Sequence, residues 1–380
     1  MSKRLLIINS VLGFGSTGNI VLNIAREYQQ NGYKVKAAYG RNFKVSKDKL
    51  PDIQKYGIRI GNNIDVYSHL IYSRLTDKHG LASKAATKKF LKWADEYDPD
   101  ILWLHNIHGY YINYELLFAW IKSRPQMQVK WTLHDCWVFT GHCSHFTYVG
   151  CDKWKSGCNN CPQLDQYPKA ITDNSADNYS RKKKAFTGVP NLTIVTPSNW
   201  LKEKVKQSFL SEYPVEVHYN TINTEIFKPT PSTFKQGHGI QDKKMILGVA
   251  SIWNERKGLN DFIELSRLLE ENTEMHGHNK IVLVGLSDSQ IKDLSKKAPS
   301  ILALPRTSSA KELAEIYTAA DVFVNPSYEE TFGLTTAEAQ ACGTYSIVYK
   351  DTACEEILDY NKGITVDYGP KNILVSLKNV

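Results

Sequence analysis

Short apolar runs recur along this chain, each closed by a turn and followed by a segment whose apolar residues return every three or four positions. Residues 4–10 (RLLIINS) read as a buried strand, GFGSTG as a turn, and residues 19–31 as an amphipathic helix stopped by Gly32. Residues 34–40 predict a second strand, and 60–97 a mostly helical, basic stretch. Further strands are expected at 100–105, 129–133 and 192–197. The same grammar restarts after residue 240, with strands at 244–251, 280–285, 321–325 and 345–350. Continuous apolar strands alternating with helices predict parallel sheets covered on both faces. The chain therefore reads as α/β, two Rossmann-like doubly wound domains facing a cleft, at 1–220 and 221–380. Residues 221–241, rich in Pro, Thr and Gly, read as the connection. A last strand at 364–366 lies near the end of the sequence, so the second domain is expected to be short at its C-terminus.

Composition narrows the class. A chain of 380 residues, 42% hydrophobic and 23% charged, has the size and balance of a soluble two-domain protein. The start, MSKRLLIINSVLGFG, has the basic and apolar parts of a signal peptide but no small-residue cleavage site, so the protein is expected to be cytoplasmic. The net charge of +8 is unevenly spread. Residues 1–200 hold 27 Lys and Arg against 15 Asp and Glu, whereas 201–380 hold 20 against 24. A basic first half suits an anionic partner, such as a membrane surface or a lipid diphosphate at the inner face of the cell membrane. Nucleic acid is not expected, because no binding motif or aromatic-basic interleaving is present.

Chemistry concentrates in residues 321–343, DVFVNPSYEETFGLTTAEAQACG, which read as strand, glycine turn and helix. Glu330 falls in the turn and Glu338 about one turn into the helix, so both can reach one ligand beside a helix N-terminus that attracts phosphate. In residues 248–258 (GVASIWNERKG) a strand end leads to adjacent Arg256 and Lys257, cations suited to neutralising a departing diphosphate. Gly13, Gly15 and Gly18 spell G-x-G-x-x-G after the first strand. No acidic residue ends the second strand, which argues against a dinucleotide. His108 and the pair His134-Asp135 follow neighbouring strands, where imidazoles orient hydroxyls or move protons. Asp98-Pro99-Asp100 has the letters of a metal-binding D-x-D, yet its proline and position read as a turn, and no catalytic metal is expected.

Five of the seven cysteines fall within residues 136–161. Cys143, Cys151, Cys158 and Cys161 invite a structural zinc, with His142 and His145 as reserve ligands and reduced thiols as the alternative. Trp137, Phe139, Phe146, Tyr148 and Trp154 suggest that this stretch forms an insertion lobe on the acceptor side.

The phrase EETFGLTTAEAQACG closely resembles the donor-site signature of family 4 glycosyltransferases. The resemblance continues through the GSTGN turn, TPSNWL at 196–201 and HYNTINTEIFKP at 218–229. Residues 134–146, HDCWVFTGHCSHF, are similar to a bacterial subgroup that builds capsular and exported polysaccharides. The resemblance implies the GT-B architecture and hexose transfer from a nucleotide diphosphate sugar, UDP-linked by default, with anomeric retention. It implies a saccharide or lipid-diphosphate-linked acceptor. Glu330 would then bind donor-sugar hydroxyls, and Glu338 the ribose. The backbone of Thr331, Phe332, Gly333 and Leu334 would meet sugar and phosphate, and Lys257 and Arg256 the diphosphate. Ser251 stands about where relatives have an arginine; Gly15 and Gly18 would form the opposite wall. His134 would meet the sugar or acceptor, with His108 and Asp135 on the acceptor side. Asn220-Thr221-Ile222-Asn223 and Tyr345 depart from the family pattern.

Overall fold

The computed structural model describes residues 2–378 and divides into two compact units, one ending at His218 and one beginning at Tyr219. In the first unit β1 (Arg4–Asn9), β2 (Lys34–Tyr39), β3 (Gly57–Arg59), β4 (Ile101–Leu104), β5 (Gln128–Thr132), β6 (Leu192–Thr196) and β7 (Val215–Val217) form one sheet, ordered β3-β2-β1-β4-β5-β6-β7. Every pairing is parallel. Alternate side chains of β1 serve opposite faces, as the period of two requires. Leu5 and Ile7 pack with Val21, Leu22 and Ala25 of the Gly15–Gln30 helix, while Leu6 and Ile8 join a core with Leu102, Leu104 and Trp131.

The second unit repeats the plan. Its strands are β8 (Lys244–Val249), β9 (Asn279–Val284), β10 (Leu302–Leu304), β11 (Val322–Asn325), β12 (Tyr345–Tyr349) and β13 (Gly363–Val366), ordered β10-β9-β8-β11-β12-β13. They too are all parallel. Each sheet reverses its winding once, between β1 and β4 in the first unit and between β8 and β11 in the second. Loops leaving the carboxyl ends of the two strands at a reversal diverge, and the crevice between them is where such sheets bind ligands.

Three local features differ from the sequence expectations. The first helix begins at Gly15 rather than at residue 19, because Gly15 adopts φ +64° and Phe14 is extended before it. Residues 221–241 are not a free connection: Phe227 and Ile240 are buried with Met245, Leu247 and Tyr317 in the second unit. The cysteine-bearing stretch is not a separate lobe either. It is threaded by three short 3-10 turns, and Trp137, Phe139, Phe146 and Trp154 are buried in the main core of the first unit. Asp98 and Asp100 sit at a turn and both hold Arg4, through its guanidinium at 2.6 Å and its backbone N–H at 2.7 Å. Among the described residues, no helix is long and apolar enough to cross a membrane.

Candidate active site

The reversal in the second unit brings together the loops after β8 and β11, and these carry most of the predicted donor-site residues. The β8 loop closes in a 3-10 turn, Glu255–Lys257, whose first residue is preceded by Asn254; the Asn254 side chain accepts the Lys257 backbone N–H at 3.1 Å. Gly258 follows at φ +72°, and a Cβ there would lie 2.3 Å from the Pro326 carbonyl oxygen. Only glycine lets the β8 loop lie against the β11 loop this closely. The two loops are then joined residue by residue. Tyr328 N–H donates to the Arg256 carbonyl at 2.9 Å, Arg256 Nη1 donates to the Glu329 carbonyl at 2.6 Å, and the Lys257 ammonium pairs with the Glu330 carboxylate. Both members of that pair are largely buried. Burial lowers the Lys257 pKa, the Glu330 charge opposes that shift, and Arg256 adds to it.

Beyond Glu330 the chain turns through Thr331, Phe332 and Gly333 into the Leu334–Ala341 helix. Gly333 caps it at φ +93°, where a Cβ would press into Cys354 Sγ at 2.4 Å, and no side chain caps the N-terminus. The turn is pinned from beneath: Asn325 Nδ2 donates to Thr336 Oγ1 at 3.0 Å and to Cys354 Sγ at 3.3 Å, and Ser327 Oγ donates to Asn325 Oδ1 at 2.6 Å. Phe332 is buried and faces the Tyr219 ring at 6.2 Å. Glu338 accepts the Tyr317 hydroxyl at 3.1 Å. Burial pushes its pKa up to about 7, against the lowering effect of that hydrogen bond. Ser251 is exposed in the β8 loop, and Leu334 is half-buried at the helix start. Thus Arg256, Lys257, Glu330 and the Thr331–Leu334 backbone share one reversal, with Glu338 on the helix leading away.

In the first unit, the corresponding loops follow β1, β4 and β5. Gly15 opens the first helix with open space where a Cβ would be, while Gly18 is buried against Gly13 and Val11. His105 Nδ1 and His134 Nε2 lie 2.9 Å apart with the rings stacked. Burial holds His105 well below the usual imidazole range and His134 at about 4; the His134 ring adds to the first shift, while Asp135 opposes the second. His108 stands between Asp135, whose Oδ2 is 3.0 Å from Nε2, and Tyr167, whose hydroxyl is 3.0 Å from Nδ1. Burial alone would raise the Asp135 pKa, but His108 and the Trp137 backbone N–H hold it at about 2.

Three residues of this machinery were not picked out from sequence. Asn254 carries a readable signal, a capping residue just before ERKG. Tyr317 and Tyr167 carry none, because each meets its partner across a long stretch of chain, 21 residues to Glu338 and 59 to His108.

Cys143, Cys151, Cys158 and Cys161 border one small cavity of about 10 Å³, together with His142 and Trp154. The Cys143 and Cys161 thiols are hydrogen-bonded to each other, and Gly141 N–H donates to Cys158 Sγ at 3.2 Å. Among the described residues, no group of three or more His, Cys, Asp or Glu side chains is already arranged to hold a metal ion. His142 is buried with its Nδ1 hydrogen-bonded to Asp77, while its Nε2 has no hydrogen-bond partner. Lys182 is buried beside them, donating to the Trp137 and Thr140 carbonyls at 2.6 and 2.9 Å and lying 3.5 Å from the Trp137 ring centroid. Burial lowers its pKa to about 7, and the neighbouring thiols and Asp77 oppose that shift.

Comparison with known proteins shows what the chain is similar to. Residues 232–374 match the family model described as glycosyl transferases group 1. A 192-residue stretch is 26% identical to WcaC of Escherichia coli K12, a glycosyl transferase named for colanic acid biosynthesis, covering 48% of this chain and 45% of that one. Another, of 126 residues, is 28% identical to the N,N'-diacetylbacillosaminyl-diphospho-undecaprenol alpha-1,3-N-acetylgalactosaminyltransferase of Campylobacter jejuni, covering 33% of this chain and 31% of that one. The matches thus span under half the length of either relative. The Anabaena protein Alr3699/HepE, solved with UDP and glucose, shares the fold at a TM-score of 0.63 over 99% of this chain and 89% of its own, with 15% identity. Residues 232–374 thus match the group 1 glycosyl transferases, and the chain shares its fold with solved GT-B glycosyltransferases.

Proposed function

We propose that the chain transfers a hexose from a nucleotide diphosphate sugar, UDP-linked, to a saccharide or lipid-diphosphate-linked saccharide during polysaccharide biosynthesis, with retention at the anomeric carbon. The observation that carries this reading is the pairing of Lys257 with Glu330 across the two loops at the β8/β11 reversal. A lysine and a glutamate held together there offer opposite charges to one ligand. Lys257, with Arg256 beside it, neutralises the diphosphate as it leaves, and Glu330 accepts from sugar hydroxyls. The Thr331–Leu334 amides and the uncapped helix start meet phosphate and sugar. Glu338, ionised, accepts from the two ribose hydroxyls. The leaving phosphate oxygen takes the acceptor proton on the same face, so no protein nucleophile is required and Glu330 is not assigned as one. His134, His108 and Asp135 orient the acceptor, and the backbone at Gly15 and Gly18 meets the anionic donor. The named substrates of the Campylobacter relative favour a lipid-linked acceptor at the inner face of the cell membrane.

Thermal stabilisation by UDP and UDP-sugars, with smaller or no shifts for GDP and ADP, is the expected result. Release of UDP that depends on added acceptor, with an unchanged anomeric configuration in the product, completes the test. Stabilisation by no nucleotide overturns the reading. The cysteine cavity stands as a proposed structural zinc site: four thiols border it, and the Gly141 N–H bond to Cys158 is of the kind that supports a metal thiolate. The thiols must close on the ion, since the chain alone does not present them as a finished set. One zinc per purified chain is expected, and metal-free protein with four titratable thiols overturns the assignment.

A further inference from the structure

The Asn63–Thr76 helix is amphipathic in the wrong direction for a helix covered only by water. Its fully buried positions are His69 and Ser73. Its outward positions are Ile64, Tyr67, Ile71 and Leu75, exposed by 80%, 66%, 57% and 55%. Spacings of three, four and four place these side chains in one stripe, about 16 Å long at the helical rise. Ile171, 73% exposed, extends the patch at the far end, because its N–H donates to the Arg74 carbonyl at 2.8 Å. The inward polar groups are satisfied: His69 Nδ1 is 2.8 Å from Ser83 Oγ, and Gly80 N–H donates to His69 Nε2 at 3.1 Å. The capping box of Asn62 and Asp65 fixes the N-terminus. The helix is therefore well formed, and its apolar face is left to meet something outside the unit.

Charge indicates what that is. Residues 59–92 hold seven Lys and Arg against two acids. Asp65 is engaged in the capping box, and Asp77 is buried against His142. Lys84, Lys88, Lys89 and Lys92 are exposed on the next helix, Lys84–Tyr97, whose first turn adjoins the start of the apolar helix at Gly61 and Ala86. Large apolar side chains flanked by exposed lysines suit a surface that is oily within and anionic at its edge. A symmetric pairing of two copies through this face would set the cations against one another.

We propose that the Ile64-Tyr67-Ile71-Leu75 face, with Ile171, docks the chain on an anionic lipid bilayer, lying in the headgroup region with the lysines of the next helix on the phosphates. This deepens the membrane-side acceptor proposed above and rests on that reading only for its biological purpose.

The test uses the full chain and flotation with vesicles of phosphatidylcholine alone or with about a third phosphatidylglycerol. Binding to the anionic vesicles, weakened by salt, is expected. The Ile71→Glu/Leu75→Glu variant should bind roughly tenfold or more weakly, while keeping its melting temperature and its thermal shift with UDP. Tyr67→Trp should give emission that moves to the blue when anionic vesicles are added. Flotation with neither vesicle, or flotation unchanged in the double variant, overturns the proposal. So does a concentration-dependent dimer that the double variant disperses without any vesicle binding. Because vesicle binding is read without a donor, its failure is distinct from failure of nucleotide binding.

Discussion

Lys257 and Glu330 stand 73 residues apart in the chain and meet as a largely buried ion pair where the β8 and β11 loops adjoin. Truncating the lysine removes the cation nearest the leaving diphosphate. Lys257→Ala is expected to lower turnover by about 10²–10³-fold with a smaller change in donor binding. Arg256→Ala should cost less in turnover and more in stability, since its guanidinium holds the Glu329 carbonyl. Steady-state kinetics beside thermal melts separate the two effects, and equal losses of turnover would contradict the assignment.

Glu338 gives a pH signature. Its carboxyl is held at about 7 by burial, above the ordinary glutamate value, so it is largely protonated at pH 6 and ionised at pH 8. If the ionised form binds the ribose, nucleotide affinity rises as pH climbs through 7. The same raised pKa means the folded state holds the proton more tightly than the unfolded chain, so this group's contribution to stability falls over that rise. Calorimetric titration with UDP between pH 6 and 8 should show tightening in the native chain and a flat profile in Glu338→Gln.

Gly258 tests the join between the loops without touching a charged group. Gly258→Ala forces a Cβ toward the Pro326 carbonyl at a positive φ, and about 2 kcal/mol or more of destabilisation is expected. Donor affinity should fall with it, because Arg256 and Lys257 can no longer keep their register on Tyr328, Glu329 and Glu330. Denaturant melts of the variant read the first effect, and nucleotide titration reads the second.

The stacked histidines of the first unit predict acid sensitivity. Burial holds His134 at about 4 and His105 also well below the unfolded imidazole value near 6.5. The unfolded chain binds more protons in that interval, so stability present above about pH 6.5 is lost as pH falls toward 4. Asp135, held at about 2, contributes separately, its share being lost below about pH 4. Urea melts at several pH values should show the first loss diminished in His134→Gln.

The alternation of apolar strands and patterned helices made both doubly wound sheets readable, because a strand covered on both faces leaves an unbroken apolar run. Residues 244–249 and 322–325 are of this kind. β3 and β7, three residues each at the sheet edge, leave too little pattern to register. In the candidate site, Glu330, Glu338 and Lys257 were legible because they belong to two continuous phrases beside strand ends. Tyr317, Tyr167 and Asp77 were not, since each acts only through a partner brought near by the fold. The cysteine stretch read as a separate lobe because its composition is unusual, yet its aromatic residues pack into the main core, where composition alone gives no address.

Lys182 stands first in a run of three lysines, and the fold treats it unlike the other two. Its ammonium is enclosed by the Trp137 and Thr140 carbonyls and the Trp137 ring, while Lys183 and Lys184 are exposed. An amine-directed acylating reagent will therefore mark Lys183 and Lys184 on the intact protein and leave Lys182 unmarked until the cysteine stretch lifts away. Three adjacent identical residues thus become a built-in reporter, readable by peptide mass, of whether that stretch is seated.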